Sequence, residues 1–213
     1  IGRGTRPDRD YAKELAEQGW VAFVPDYPSF GEDKTDFDRD AFSRGYQSGT
    51  MYAIVNHTRA VDLLVAHPRV DRRHIAVIGH SLGGHNSLFV AAFDERIRAV
   101  VTSCGFTSFP KYYGGKLKGW TQKLYMPRIA TAYASDPKQV PFDFTDVLTA
   151  IAPRRLFINA PLHDDNFEVS GVDDVVNAVR PLFPAGALVV EHPDSEHTFP
   201  ASVRTKAYEF LKK

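Results

Sequence analysis

The stretch Gly79-His80-Ser81-Leu82-Gly83 constrains this chain more than any other, because of what flanks it. Before it, Ile75-Ala76-Val77-Ile78 is a short β-branched apolar run that predicts a buried strand. After it, Gly84-His85-Asn86-Ser87 lead into Leu88-Phe89-Val90-Ala91-Ala92, which predict a helix. A serine between two glycines at a strand-to-helix switch sits on a turn so sharp that neighbours larger than glycine are expected to collide. Such a nucleophile elbow pushes the serine hydroxyl out above the sheet. The helix behind it points its first N–H groups, that of Leu82 included, at the place where negative charge would develop on a reacting carbonyl oxygen.

Around this element, strand and helix alternate. Residues 8–18 carry Tyr11, Ala12, Leu15 and Ala16 at helical spacing, and Gly19 supplies a stop. Residues 21–24, Val-Ala-Phe-Val, predict a buried strand, and residues 29–46 a polar and aromatic loop. Met51, Ile54, Val55, Val61, Leu64 and Val65 mark a long amphipathic helix closed by Pro68. Further strands are expected over residues 99–102, 156–159 and 188–190. Helices are expected over 172–179 and around Val203, Ala207, Phe210 and Leu211. Residues 106–150 are aromatic, rich in glycine and proline, and lack a clean period. No repeat or linker divides the chain, so residues 1–213 are expected to form one domain. This alternation predicts an α/β fold with a mainly parallel sheet and helices on both faces, whose active groups collect at the carboxyl ends of the strands.

Composition excludes several function classes. Lysine plus arginine balances aspartate plus glutamate at 26 each, so no net field favours nucleic acid or an anionic membrane. No apolar run approaches the roughly 18 residues of a membrane span. The lone Cys104 excludes an internal disulfide and any multi-cysteine metal site. His163 beside Asp164 and Asp165 lacks a second histidine at ligand spacing, so no metal is expected, and nothing calls for a cofactor. Gly2-x-Gly4 and Gly114-Gly115 are too short for a phosphate cradle.

The strand over 156–159 runs into Ala160-Pro161-Leu162-His163-Asp164-Asp165-Asn166, and the strand over 188–190 into Glu191-His192-Pro193-Asp194-Ser195-Glu196-His197. An acid after one strand and a histidine after the next, in the order Ser, Asp, His, suits nucleophilic catalysis. A serine hydroxyl is a poor nucleophile until an imidazole takes its proton, and a carboxylate fixes that imidazole's tautomer and stabilises its cation. Asp164 and Asp165 are both candidates for the acid. His197 is preferred over His192, which lies very close to the strand end.

These motifs, Gly79-His80-Ser81-Leu82-Gly83-Gly84, the Asp164-Asp165-Asn166 turn, and His197 before the last helix, resemble the α/β-hydrolase superfamily. The resemblance is to the group holding dienelactone hydrolases, prolyl-oligopeptidase catalytic domains and acetyl-xylan-type esterases, and it covers essentially the whole chain. It implies the catalytic set Ser81, Asp164 and His197, with Asp164 rather than Asp165 as the acid. Dienelactone hydrolases carry cysteine at the elbow, so Ser81 counts against a dienelactone substrate. The resembled fold also places a strand between residues 21–24 and 75–78. That strand would lie immediately upstream of Ile1, so the N-terminal strands are expected to be missing and the natural protein to be longer. Residues 1–6 would then be the tail of the loop that supplies a second oxyanion donor.

The expected function is therefore a serine carboxylic ester hydrolase working through an acyl-enzyme. The alternatives are a prolyl-oligopeptidase-like peptidase and a non-catalytic hydrolase-fold protein. The expected partner is a small-molecule or sugar ester, neither nucleic acid nor membrane. Residues 106–150 are read as a cap or pocket-lining insertion, in which Phe106, Tyr112, Trp120 and Tyr125 either wall the substrate pocket or fill the cap's own core. His80 is expected to pack or to touch substrate, and His57, His67 and His74 to be structural. The residues themselves name no ester, oligomeric state or compartment.

Overall fold

The computed structural model describes residues 9–212. Helix α1 (Tyr11–Glu17) ends where Gly19 adopts φ 91, with Gly19 N–H donating to Ala16 and Trp20 N–H to Leu15. Those two bonds cap the last carbonyls and turn the chain sharply. Helix α2 (Gly49–Ala66) starts on Ser48, whose side chain accepts the N–H of Met51, and ends ahead of Pro68. Then follow β1 (Ile75–His80), α3 (Leu82–Phe93), β2 (Ile97–Ser103), the short α4 (Arg128–Thr131), α5 (Phe144–Ile151), β3 (Arg155–Asn159), α6 (Val169–Val179), β4 (Leu188–Glu191) and α7 (Ala201–Leu211).

The four strands pair in parallel, in the order β1-β2-β3-β4. Side chains alternate across the strands and so divide the core in two. Val100, Leu156 and Ile158 pack with Leu88, Phe89 and Val172, under α2, α3, α5 and α6. Ala99, Val101 and Phe157 pack with Tyr11, Leu15, Val203 and Phe210, under α1 and α7. A largely buried Arg204 locks the second layer, its guanidinium donating twice to the Glu14 carboxylate at 3.0 and 2.7 Å. The register aligns His80 with Ser103, Ser103 with Asn159 and Asn159 with Glu191. The carboxyl ends therefore form one level row, from which the loops carrying Ser81, Asp164 and His197 rise.

Three expectations change. Residues 21–24 form no strand, and Val21, Phe23 and Val24 are 41–48% exposed. A strand exists through its ladder, and among the described residues β1 pairs with β2 alone, leaving this run no partner. Residues 29–46 are not all loop: Asp36 accepts the N–H of Arg39 and starts one wide helical turn over Phe37–Ala41. Residues 106–150 are more regular than their period suggests, because Asp143 and Asp146 form a reciprocal capping box that launches α5. Residues 1–6, expected to hold part of the oxyanion loop, lie outside the described residues. No helix among the described residues is long and apolar enough to cross a membrane.

Candidate active site

Ser81 sits between β1 and α3 with φ 56 and ψ −119, a conformation that costs a non-glycine residue about 1–3 kcal/mol. Its surroundings impose it: the Ser81 N–H donates to Ser103 O at 2.8 Å, and the Ser81 carbonyl accepts the His85 N–H at 2.9 Å. A Cβ on Gly79 would stand 2.0 Å from the Gly83 carbonyl oxygen, so only glycine fits there. A Cβ on Gly83 would meet nothing nearer than the Tyr11 hydroxyl at 3.9 Å, so the steric demand falls on the first glycine and not, as expected, on both. Leu82 opens α3, and its N–H belongs to the first turn that a helix leaves unpaired.

The Ser81 hydroxyl lies 2.9 Å from His197 Nε2, and His197 Nδ1 lies 2.9 Å from both carboxylate oxygens of Asp164. The Asp164 side chain is 1% exposed and that of His197 22%. Burial pushes the Asp164 carboxyl up, but the hydrogen bond and charge of His197, with the N–H groups of Asn166 and Phe167, outweigh it. Its pKa therefore lies below the ordinary carboxylate value, and the ionised acid keeps the imidazole proton on Nδ1. Nε2 is left to accept from the Ser81 hydroxyl. Chemically, this arrangement can remove the serine proton as the oxygen attacks a carbonyl.

The rival residues are engaged elsewhere. Asp165 is exposed. His192 donates from Nδ1 to Ala160 O at 2.8 Å and faces Asp173 at 3.1 Å, while His163 pairs with Asp194 at 2.7 Å. Of the proposed pocket residues, Phe106 and Trp120 are each 2% exposed and pack in an aromatic cluster with Phe144. Half-buried Tyr125 leans on Trp120 and His85. Phe106 and Trp120 belong to the same core layer as Leu88, Phe89 and Val100, and Tyr125 packs against it. Tyr112, largely buried, shows one side to an open groove of about 750 Å³. His80 is buried, bonds Ser103 Oγ through Nδ1 at 2.9 Å, and its ring stands 5.0 Å from that of His197.

Sequence reading missed the scaffold beneath these groups. Asn159 Nδ2 donates to Ser103 Oγ at 2.8 Å and to Thr198 O at 2.9 Å. Cys104, at φ 49, has its sulfur within 4.8 Å of ligand atoms of Asp164 and His197. Burial and the neighbouring Asp164 charge push its pKa up, so the thiol stays protonated and donates to Thr198 O at 3.4 Å. A thiol, a carboxylate and an imidazole thus meet here, with Asp164 and His197 bonded to each other. Only inter-strand register brings Asn159 and Cys104 here, and no local motif announces it.

The sequence profile of the alpha/beta hydrolase family matches residues 7–207. The Bacillus subtilis protein YtaP, a hydrolase by provisional name, is 24% identical over 217 aligned positions, covering 95% of this chain and 68% of its own length. The esterase Pf2001 of Pyrococcus furiosus superposes with a TM-score of 0.68 at 17% identity, over 97% of this chain and 76% of its own. A carbohydrate esterase family 15 glucuronoyl esterase of Caldicellulosiruptor kristjansonii superposes at 0.62 with 21% identity, over 76% of this chain. This chain spans about half of that esterase, 49%.

Proposed function

This chain belongs to the alpha/beta hydrolase family, and on that premise we propose that it is a serine hydrolase cleaving carboxylic esters. The observation that carries the proposal is the unbroken run of 2.9 Å contacts from Ser81 Oγ through His197 to Asp164. In the proposed reaction, Ser81 Oγ attacks the ester carbonyl carbon while His197 Nε2 takes its proton. Asp164 holds the imidazolium, and the Leu82 N–H receives the developing oxyanion. One such donor is worth about 2.7–4 kcal/mol of transition-state stabilisation. The tetrahedral adduct then expels the alcohol, and water, activated by the same imidazole, releases the acid.

Two arguments favour esters over amides. An ester needs less leaving-group activation than an amide, and the structural relatives that carry a named activity include esterases. A fluorophosphonate probe tests the assignment directly: it should add to Ser81, located by peptide mass mapping, and leave Ser81→Ala unlabelled. Labelling at another residue, or ester turnover surviving Ser81→Ala, would overturn the proposal.

A further inference from the structure

The groove that Tyr112 borders is also lined by Tyr113, Lys116, Lys118 and Gln122. Two links join it to the residues around Ser81. The Phe167 ring lies 5.9 Å from that of His197 and 6.0 Å from that of Tyr112. The Tyr113 hydroxyl donates to Asn166 Oδ1 at 2.9 Å, two residues beyond Asp164. Tyr113 itself is held at φ 46 and ψ 40, a left-handed conformation that a ring-bearing residue adopts only under constraint. The residue is 52% exposed, and its ring stands edge-on to Tyr112 at 4.8 Å. A tyrosine forced into this backbone, tied to the acid loop, and yet showing its ring to solvent contributes little to the core and much to a surface for a flat ligand.

The groove is also positively charged. Lys111 pairs with Asp174 and Lys123 with Asp38, but neither Lys116 nor Lys118 has an ion-pair partner among the described residues. Lys116 and Lys118 line the same groove as the two tyrosines.

We propose that this groove takes the alcohol portion of the ester, and that this alcohol is a ring bearing an anionic substituent. The inference rests on the serine ester hydrolase reading, because the proton route assigns the side. As the adduct collapses, the bond from the carbonyl carbon to the alcohol oxygen breaks, and the proton taken from Ser81 passes from His197 Nε2 to that oxygen. The departing oxygen therefore lies against His197. The Phe167 ring stands between His197 and Tyr112; on this proposal the alcohol reaches past it, its ring packing on the tyrosines and its anion meeting Lys116 and Lys118.

Two acetyl esters of matched size test this, each rate taken relative to the ester's own imidazole-catalysed hydrolysis: 4-acetoxybenzoate, which is anionic, and 4-acetoxybenzamide, which is neutral. The anion should show a roughly fivefold higher kcat/KM at low ionic strength, a preference that salt erodes. In the double variant Lys116→Ala/Lys118→Ala, with folding checked by circular dichroism, the ratio should fall to about one. No preference in the parent, or one that persists in the double variant, would refute the proposal. Failure of the ester-hydrolase reading looks different: neither ester turns over, and Ser81 takes up no fluorophosphonate. Calorimetry with 4-hydroxybenzoate against 4-hydroxybenzamide then decides the groove alone. Tighter binding of the anion, lost in the double variant, supports the site, and equal binding of the two overturns it.

Discussion

Asn159 donates its amide to the carbonyl oxygen of Thr198 over 2.9 Å, tying the end of β3 to the residue directly after His197. The same amide reaches Ser103 Oγ, which in turn bonds the ring of His80, the residue directly before Ser81. One fully buried side chain thus references Ser81 and His197 to the row of strand ends. Asn159→Ala should cost about 1–3 kcal/mol in denaturant unfolding, because it removes two buried hydrogen bonds. It should also lower kcat with KM little changed. Asn159→Asp keeps the shape, removes the donors and adds a charge near Asp164, so it should be the worse variant. Equal kcat values in Asn159→Ala and the parent would contradict the positioning role.

The carboxylate pair separates by what holds each oxygen. Asp164 accepts from two backbone N–H groups and faces His197, whereas Asp165 is exposed. Asp164→Asn should reduce kcat about 10⁴-fold by reversing the imidazole tautomer. Asp165→Asn should stay within a few-fold. Steady-state kinetics on a neutral aryl ester reads both.

His197→Ala should match Ser81→Ala in severity, since groups that act as a unit fail as a unit, each losing several orders of magnitude. His192→Ala breaks only its bonds to Ala160 and Asp173, so unfolding should register it more strongly than turnover. A larger kinetic loss in His192→Ala than in His197→Ala would reassign the base.

The two elbow glycines should respond in opposite directions. Gly79→Ala drives a methyl into the Gly83 carbonyl and should abolish folding or activity outright. Gly83→Ala makes only an ordinary contact with the Tyr11 hydroxyl inside a helix and should raise stability by up to about 1 kcal/mol. Melting temperatures of the two variants give the answer.

Burial pulls the His85 imidazole from 6.5 down to about 3. Between those values the unfolded chain binds a proton that the folded chain refuses, so stability falls as pH is lowered, by at most about 1.4 kcal/mol per unit. Half-buried His57, also shifted downward by burial, contributes with the same sign. His85→Gln retains an amide that can bond Thr50 and does not titrate, so its stability profile above about pH 5 should be flatter than the parent's. Parallel profiles would count against a neutral, buried His85.

The alternating frame was legible in the sequence because short apolar runs and helical spacing are local, and the elbow because its crowding involves residues four apart. Asp143 and Asp146 also carried a readable cap signal, masked by the aromatic residues around it. Residues 21–24 misled for a physical reason: Val-Ala-Phe-Val is apolar enough for a strand, but strand status belongs to a pair, and composition says nothing of the partner. Residue type did not separate Asp164 from Asp165, since the backbone N–H groups that distinguish them depend on the turn's geometry. Asn159, Ser103 and Cys104 meet only through the register of β2 against β3, which no window of sequence contains.

Phe167 belongs to two structures at once. Its backbone N–H holds the Asp164 carboxylate at 3.1 Å, while its ring separates His197 from Tyr112. Any residue except proline supplies that N–H, whereas the ring belongs to phenylalanine. Mutational drift at this position therefore leaves the Asp164 anchor in place and remodels only the wall beside His197. A lineage built on this frame can change what it accepts without relearning how to react.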